Sequence, residues 1–410
     1  MLQSECPART QRVRVVVSAT GTMAVSLSLL FVLATVGPLL VDELGLQRAE
    51  LGAVVAAAYA VAAAAWWPAA GVVDWLGGRR AMAVTAALAA AALAVMASAD
   101  GTRTLLVAGA IAGVGQALAN PATNLVMVHA EGRGRATAVG TKQAGVPLGA
   151  LVAGAALPSA AAEWGWRAAV ASASLVAVAV VVLVLTTLSP TARAGARPRA
   201  SVPVSRDARL LLLCGFQLLV GAGVAAVTTY LPLFATEALA VTPRVAGTLT
   251  LLVGVTGIVA RVVVTRLSAG SGRPAAALGR LSAAAVAGAL PLALAPLAGA
   301  WLAWVGALLV GGTAVAANAV AMLVVIEGYP PSAMARASGM VSAGFFTGFA
   351  VGPPLFGLLV DATGSYPTGW VSVAAVLATA TLVSSVLGRL PTSPLAGVVD
   401  AHPAPVAARG

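Results

Sequence analysis

The sequence predicts an all-helical integral membrane protein of about twelve transmembrane helices in two pseudo-symmetric six-helix bundles. Three observations carry this. Of the 410 residues, 60% are hydrophobic and only 9% charged, with a mean hydropathy of +0.97, whereas a soluble chain is normally about a quarter charged. Apolar runs near the length needed to cross a bilayer, about 20 residues, recur throughout. Basic residues collect in alternate breaks between them.

The runs fall at 15–41, 51–73, 81–99, 104–128, 136–157 and 168–188, then at 210–235, 245–267, 278–298, 301–326, 337–360 and 368–387. Arg9, Arg12 and Arg14 before the first run resemble a secretory signal, but that run is too long for a signal peptide and reads as a retained helix. The ninth run is interrupted by Pro291 and Pro296. With the N-terminus cytoplasmic, the outer loops hold only Arg48, Arg103, Arg167 and Arg244, and the inner segments hold eighteen arginines. This positive-inside bias places the protein in the cell membrane with both termini cytoplasmic. It also accounts for the net charge of +11 without a nucleic-acid partner.

The break rich in proline and arginine after the sixth run divides the chain. Residues 1–188 form an N-terminal six-helix half, 189–209 a cytoplasmic linker, 210–390 a C-terminal half and 391–410 a disordered cytoplasmic tail. The halves repeat one another. Pro38-Leu39 is followed by Glu43 at the spacing at which Pro232-Leu233 is followed by Glu237. Gly113, Ala119-Asn120 and Leu125-Val126 recur as Gly311, Ala317-Asn318 and Leu323-Val324. Two six-helix halves of the same polarity are the parallel repeat of a transporter whose site lies between them.

Other classes lack their chemistry. Cys6 and Cys214 are the only cysteines, and His129 and His402 the only histidines, so no metal or cofactor site is expected. The only lysine, Lys142, is followed by Gln143 rather than Ser or Thr, so no phosphate-cradling P-loop of its own powers the chain. An enzyme would need a nucleophile, acid–base pair or metal site within the runs, and no His or Asp cluster stands there.

After the second run stands Ala70-Gly71-Val72-Val73-Asp74-Trp75-Leu76-Gly77-Gly78-Arg79-Arg80. This resembles the cytoplasmic loop signature of the major facilitator superfamily, matched at Asp74, Gly77, Arg79 and Arg80, with Ala70 and Trp75 departing from it. The fifth and eleventh runs carry a second family mark, rich in glycine and proline. Gly140, Gly145, Pro147, Gly149 and Gly154 lie in one, and Gly344, Gly348, Gly352, Pro353, Pro354 and Gly357 in the other. Glycine at four-residue spacing lets helix backbones approach closely, and proline bends them. The resemblance implies alternating access, with Asp74, Gly77, Arg79 and Arg80 as a conformational lock. It also implies that the first, fourth, seventh and tenth helices line the cavity. The arginine many relatives carry in the fourth helix is replaced here by Gly109, and the fifth run has Gly-Val-Pro-Leu-Gly in place of the antiporters' Gly-Pro pair.

No acid lies deep in a run; Glu43, Glu237, Glu327 and Asp361 are all at ends. The deep ionisable groups are Lys142 and Arg261, and an intramembrane charge is a functional hypothesis by default. They are expected to clamp an anionic substrate, with Lys142 as a titratable group able to couple transport to protons. Gln116, Asn120 and Asn124 step along one face of the fourth helix, and with Asn318 and Gln143 they are candidates for orienting the substrate. Thr141, Tyr59, Gln217 and Tyr230 are lesser candidates. Trp164, Trp166, Trp301 and Trp370 fall near outer boundaries and read as interfacial anchors. The expected activity is secondary transport of a small solute by one chain acting as a monomer. The alternatives are an exporter of hydrophobic or cationic compounds and a non-transporting receptor.

Overall fold

Alanine, leucine and valine dominate the runs, and in lipid each backbone N–H and C=O must be satisfied within its own segment, so helix is the outcome. The computed structural model describes residues 5–127, 135–189, 207–270, 274–329 and 331–390. Most of the linker expected at 189–209, and the whole tail expected at 391–410, lie outside the described residues.

The first half comprises α1 (Glu5–Ser26), α2 (Ser28–Leu44), α3 (Arg48–Leu76), α4 (Gly78–Ala97), α5 (Thr102–Met127), α6 (Arg135–Trp164) and α7 (Trp166–Thr187). The second comprises α8 (Ala208–Ala238), α9 (Pro243–Gly270), α10 (Pro274–Ala298), α11 (Trp301–Gly328), α12 (Pro331–Thr363) and α13 (Tyr366–Leu387). Eleven of these helices are long and apolar enough to cross a membrane. The pair α1–α2, bent by 43°, makes a twelfth span.

That bend corrects the single helix expected over 15–41. Leu27, with φ −110° and ψ 10°, leaves the helical region. The hydroxyls of Ser26 and Ser28 donate to the carbonyls of Met23 (2.9 Å) and Val25 (2.7 Å) that the break frees. Serine competing for backbone bonds bends helices in this way. Conversely, α10 runs through Pro291 unbroken.

The packing repeats from half to half. In the first, α3 and α4 pack on α5, α4 on α7, and α1 on α6; in the second, α9 and α10 pack on α11, α10 on α13, and α8 on α12. The halves meet through α3 with α12 and α6 with α9, the same two spans of each half exchanged by the pseudo-two-fold. Lys142 and the asparagines therefore lie on helices beside that interface.

Candidate functional site

Lys142 lies seven residues into α6, about 10 Å from the arginine-rich end at 1.5 Å per residue. Its side chain is 0% exposed and does not reach for the surface. The ammonium donates to Asn124 Oδ1 at 2.7 Å and Asn120 Oδ1 at 3.3 Å, both on α5. Gln143 Nε2 donates to the same Asn120 oxygen at 3.3 Å. From the other half, Arg261 on α9 donates through Nη1 to the Gln143 carbonyl at 3.3 Å, while its buried Nε has no partner among the described residues. A cation from the second half thus reaches the backbone one residue along from Lys142. Among the described residues no carboxylate pairs with either. Asn124 and Thr141 beside them are exposed, on the side of the arginine-rich end.

The other expected ligands stand apart. Asn318 accepts from Gln217 Nε2 at 2.6 Å, a pairing within the second half. Gln116 lines a small cavity at the α1–α2 bend with Ser26, Leu27 and Tyr59, with space for about one water. The Tyr59 side chain is 1% exposed, and its ring packs on Phe346 and Phe349 of α12.

In the signature loop, Gly77 takes φ +76°, a conformation that favours glycine, and joins α3 to α4 in a single residue. Arg79 donates to the Leu185 carbonyl. Asp74 and Arg80 are exposed, as is Trp75 at 64%, and no ion pair among the described residues engages Asp74. Gly145, Gly149, Gly348 and Gly352 pack helices within each half, whereas Gly154 meets Leu251 of α9 and Gly357 meets Ala49 of α3 across the halves. A methyl added at Gly145 or Gly149 would strike the carbonyls of Thr20 or Ala24 on α1, and one at Gly348 or Gly352 those of Leu218 or Ala222 on α8. Pro147 lies on α6 against Gly254 of α9, and the Pro353 carbonyl accepts from Tyr230 at 3.0 Å.

The opposite end holds a group that the sequence reading counted only as topology charge and helix-end acids. Arg48 at the start of α3 donates through Nε to Glu237 Oε2 at 2.9 Å and through Nη1 to Asp361 Oδ1 at 3.1 Å. Tyr366 donates to Glu237 Oε2 at 2.8 Å. The other Asp361 oxygen accepts from the Ala49 backbone N–H at 2.9 Å, capping the N-terminus of α3 from the other half. The one available signal was the Pro-Leu…Glu repeat. Two tryptophans also depart from expectation. Trp164 and Trp301 are exposed, but Trp370 is buried against Phe234 and Phe356, and Trp166 donates to Glu43 at 2.6 Å.

A family model described as Major Facilitator Superfamily matches residues 18–339 and 213–406. Among solved structures, the chain is similar to the nucleoside transporter NupG, with a TM-score of 0.74 and 15% identity over 93% of this chain and 100% of that one. It is similar also to a bacterial homolog of the human lysosomal transporter Spinster in an inward-facing, unoccupied conformation. That match has a TM-score of 0.74 and 15% identity, over 92% of this chain and 97% of that one. No curated protein matches the sequence.

Proposed function

Because the chain belongs to the major facilitator superfamily, we propose that it is a secondary transporter carrying a small organic anion across the cell membrane by alternating access. The reading rests on one observation: Lys142 and Arg261, from opposite halves, have only neutral oxygens as partners among the described residues, and Arg261 takes the carbonyl of the residue next to Lys142. Buried cations without a counter-charge cost free energy. An anion between them supplies that charge, forming charge-assisted hydrogen bonds stronger than those from amide carbonyls.

The mechanism follows from the placement of the two cations. An anion entering from the arginine-rich, cytoplasmic end replaces asparagine oxygens on the Lys142 ammonium and satisfies the free Arg261 Nε. It then bridges α6 and α9, adding a charged link between the two halves. Asn120, Asn124 and Gln143 orient the substrate. Loss of the Lys142 proton removes one of the two charges, which is the route by which transport couples to protons. The termini are cytoplasmic in this reading, and a single chain supplies the whole site.

The test is ligand-induced thermal stabilisation of the purified protein and of Lys142→Gln. The panel comprises mono- and dicarboxylates, inorganic phosphate, nucleosides and cationic amphiphiles. Anions are expected to raise the unfolding temperature of the parent and to lose that effect in Lys142→Gln. Stabilisation by cationic or neutral compounds, equal in both proteins, overturns the anion reading.

A further inference from the structure

We propose that Arg48, Glu237, Asp361 and Tyr366 form a latch that holds the outer end of the transport path shut, and that its release opens the path to that side. Arg48 belongs to the first half and its three partners to the second. The guanidinium lies between two carboxylates, with Glu237 at 2.9 Å and Asp361 at 3.1 Å. Its Nε also contacts the Tyr366 hydroxyl at 3.1 Å. Asp361 is doubly placed, because its second oxygen takes the Ala49 N–H at 2.9 Å, where the dipole of α3 favours a negative charge.

The internal repeat separates this group from a mere fold staple. Glu43 and Glu237 are repeat mates, and each accepts from the aromatic that opens the last helix of its own half. Trp166 Nε1 reaches Glu43 at 2.6 Å, and the Tyr366 hydroxyl reaches Glu237 at 2.8 Å. The cations differ. Glu43 pairs with Arg167, the residue after Trp166; after Tyr366 stands Pro367, which carries no charge. The position left without a cation in the second half is filled across the interface by Arg48. The first copy shows that a half needs only its own arginine there, so the crossing contact joins the halves.

The contacts beneath agree. The Tyr230 hydroxyl on α8 reaches the Arg48 carbonyl on α3 and the Pro353 carbonyl on α12. Gly52 and Gly357 leave the space it occupies, since a methyl at either would meet that oxygen. The Arg48 and Glu237 side chains remain 33% and 24% exposed. Ion pairs within reach of water are individually weak, which suits a contact that breaks and re-forms with each cycle. At the other end Asp74 makes no such pairing among the described residues.

The latch is independent of the anion reading, and its test needs no ligand. With Cys6→Ser and Cys214→Ser as background, spin labels go on Arg103→Cys at the start of α5 and Arg244→Cys at the start of α9. Both sites are exposed at the latch end, in opposite halves. Pulsed electron–electron distance measurements are expected to show a predominantly short separation in the parent. Arg48→Met should raise the long-separation population roughly five- to tenfold, and Arg48→Glu combined with Glu237→Arg should lower it again. Should Arg48→Met fail to fold, Glu237→Gln with Asp361→Asn preserves shape and carries the same expectation. An unchanged distribution in the variants overturns the latch, and so does a swapped pair no better than Arg48→Glu alone.

Discussion

The Lys142 ammonium is held by carbonyl dipoles instead of charges. A charged side chain at mid-membrane costs ~2.5–3.5 kcal/mol on insertion scales. A hydrogen bond to a charged group returns ~1.5–3 kcal/mol, so the bond to Asn124 at 2.7 Å and the longer one to Asn120 at 3.3 Å roughly offset the burial. Two consequences follow. Lys142→Gln, which keeps a polar group in reach of both asparagines and removes the charge, is expected to unfold no earlier than the parent in the same detergent. Asn124→Leu, which leaves the ammonium with the weaker bond alone, should lose about 1–3 kcal/mol, read as a lower unfolding temperature. This pair of outcomes separates a residue kept for binding from one kept for stability. The lysine was legible in the sequence because it is unique and the amides step at helical spacing. That Arg261 belongs with it was expected from the two being the deep charges; the bond from Arg261 to the Gln143 carbonyl was not legible, because it depends on how two helices 118 residues apart approach.

Between helices, glycine sets the spacing. Gly145 and Gly149 of α6 sit over the Thr20 and Ala24 carbonyls of α1, and Gly344 and Gly348 of α12 sit over those of Cys214 and Leu218 on α8. The steps of four on each helix match, so the same close crossing occurs in both halves. Gly348→Ala is therefore expected to destabilise by about 1–3 kcal/mol, the cost of overpacking a fitted contact. Gly71→Ala, where nothing lies within 4 Å, should be neutral or slightly favourable. Thermal unfolding of the two variants makes the comparison. These crossings were legible from glycine periodicity. The break at Leu27 was not, because Ser26-Leu27-Ser28 carries neither glycine nor proline, and a hydrophobic run reads the same whether straight or bent.

Across the whole molecule the two ends differ. At one, Arg48 and Tyr230 join the halves; at the other, Asp74 stands exposed and Lys142 lies buried beside the exposed Asn124 and Thr141. Alternating access needs two such states of similar free energy, so a contact present in only one of them biases the balance. If the signature loop engages only when the arginine-rich end closes, Asp74→Asn should favour the conformation seen here. The label pair at 103 and 244 is then expected to lose long-separation population, and combining Asp74→Asn with Arg48→Met should return it toward the parent. Span count and pseudo-symmetry were legible because length, hydropathy and charge sidedness are properties of the chain itself. The latch joins residues 189 and 313 positions apart, and nothing local in the sequence marks Arg48 as different from its neighbours.

The lone lysine also gives the protein a native chemical tag. Of its 24 basic residues 23 are arginines, so amine-directed acylation has one side-chain target. That target is fully buried in this conformation. Any adduct at Lys142 records a moment when the site admitted the reagent, and a peptide map that separates Lys142 from the terminal amine then reads out conformational exchange without a mutation.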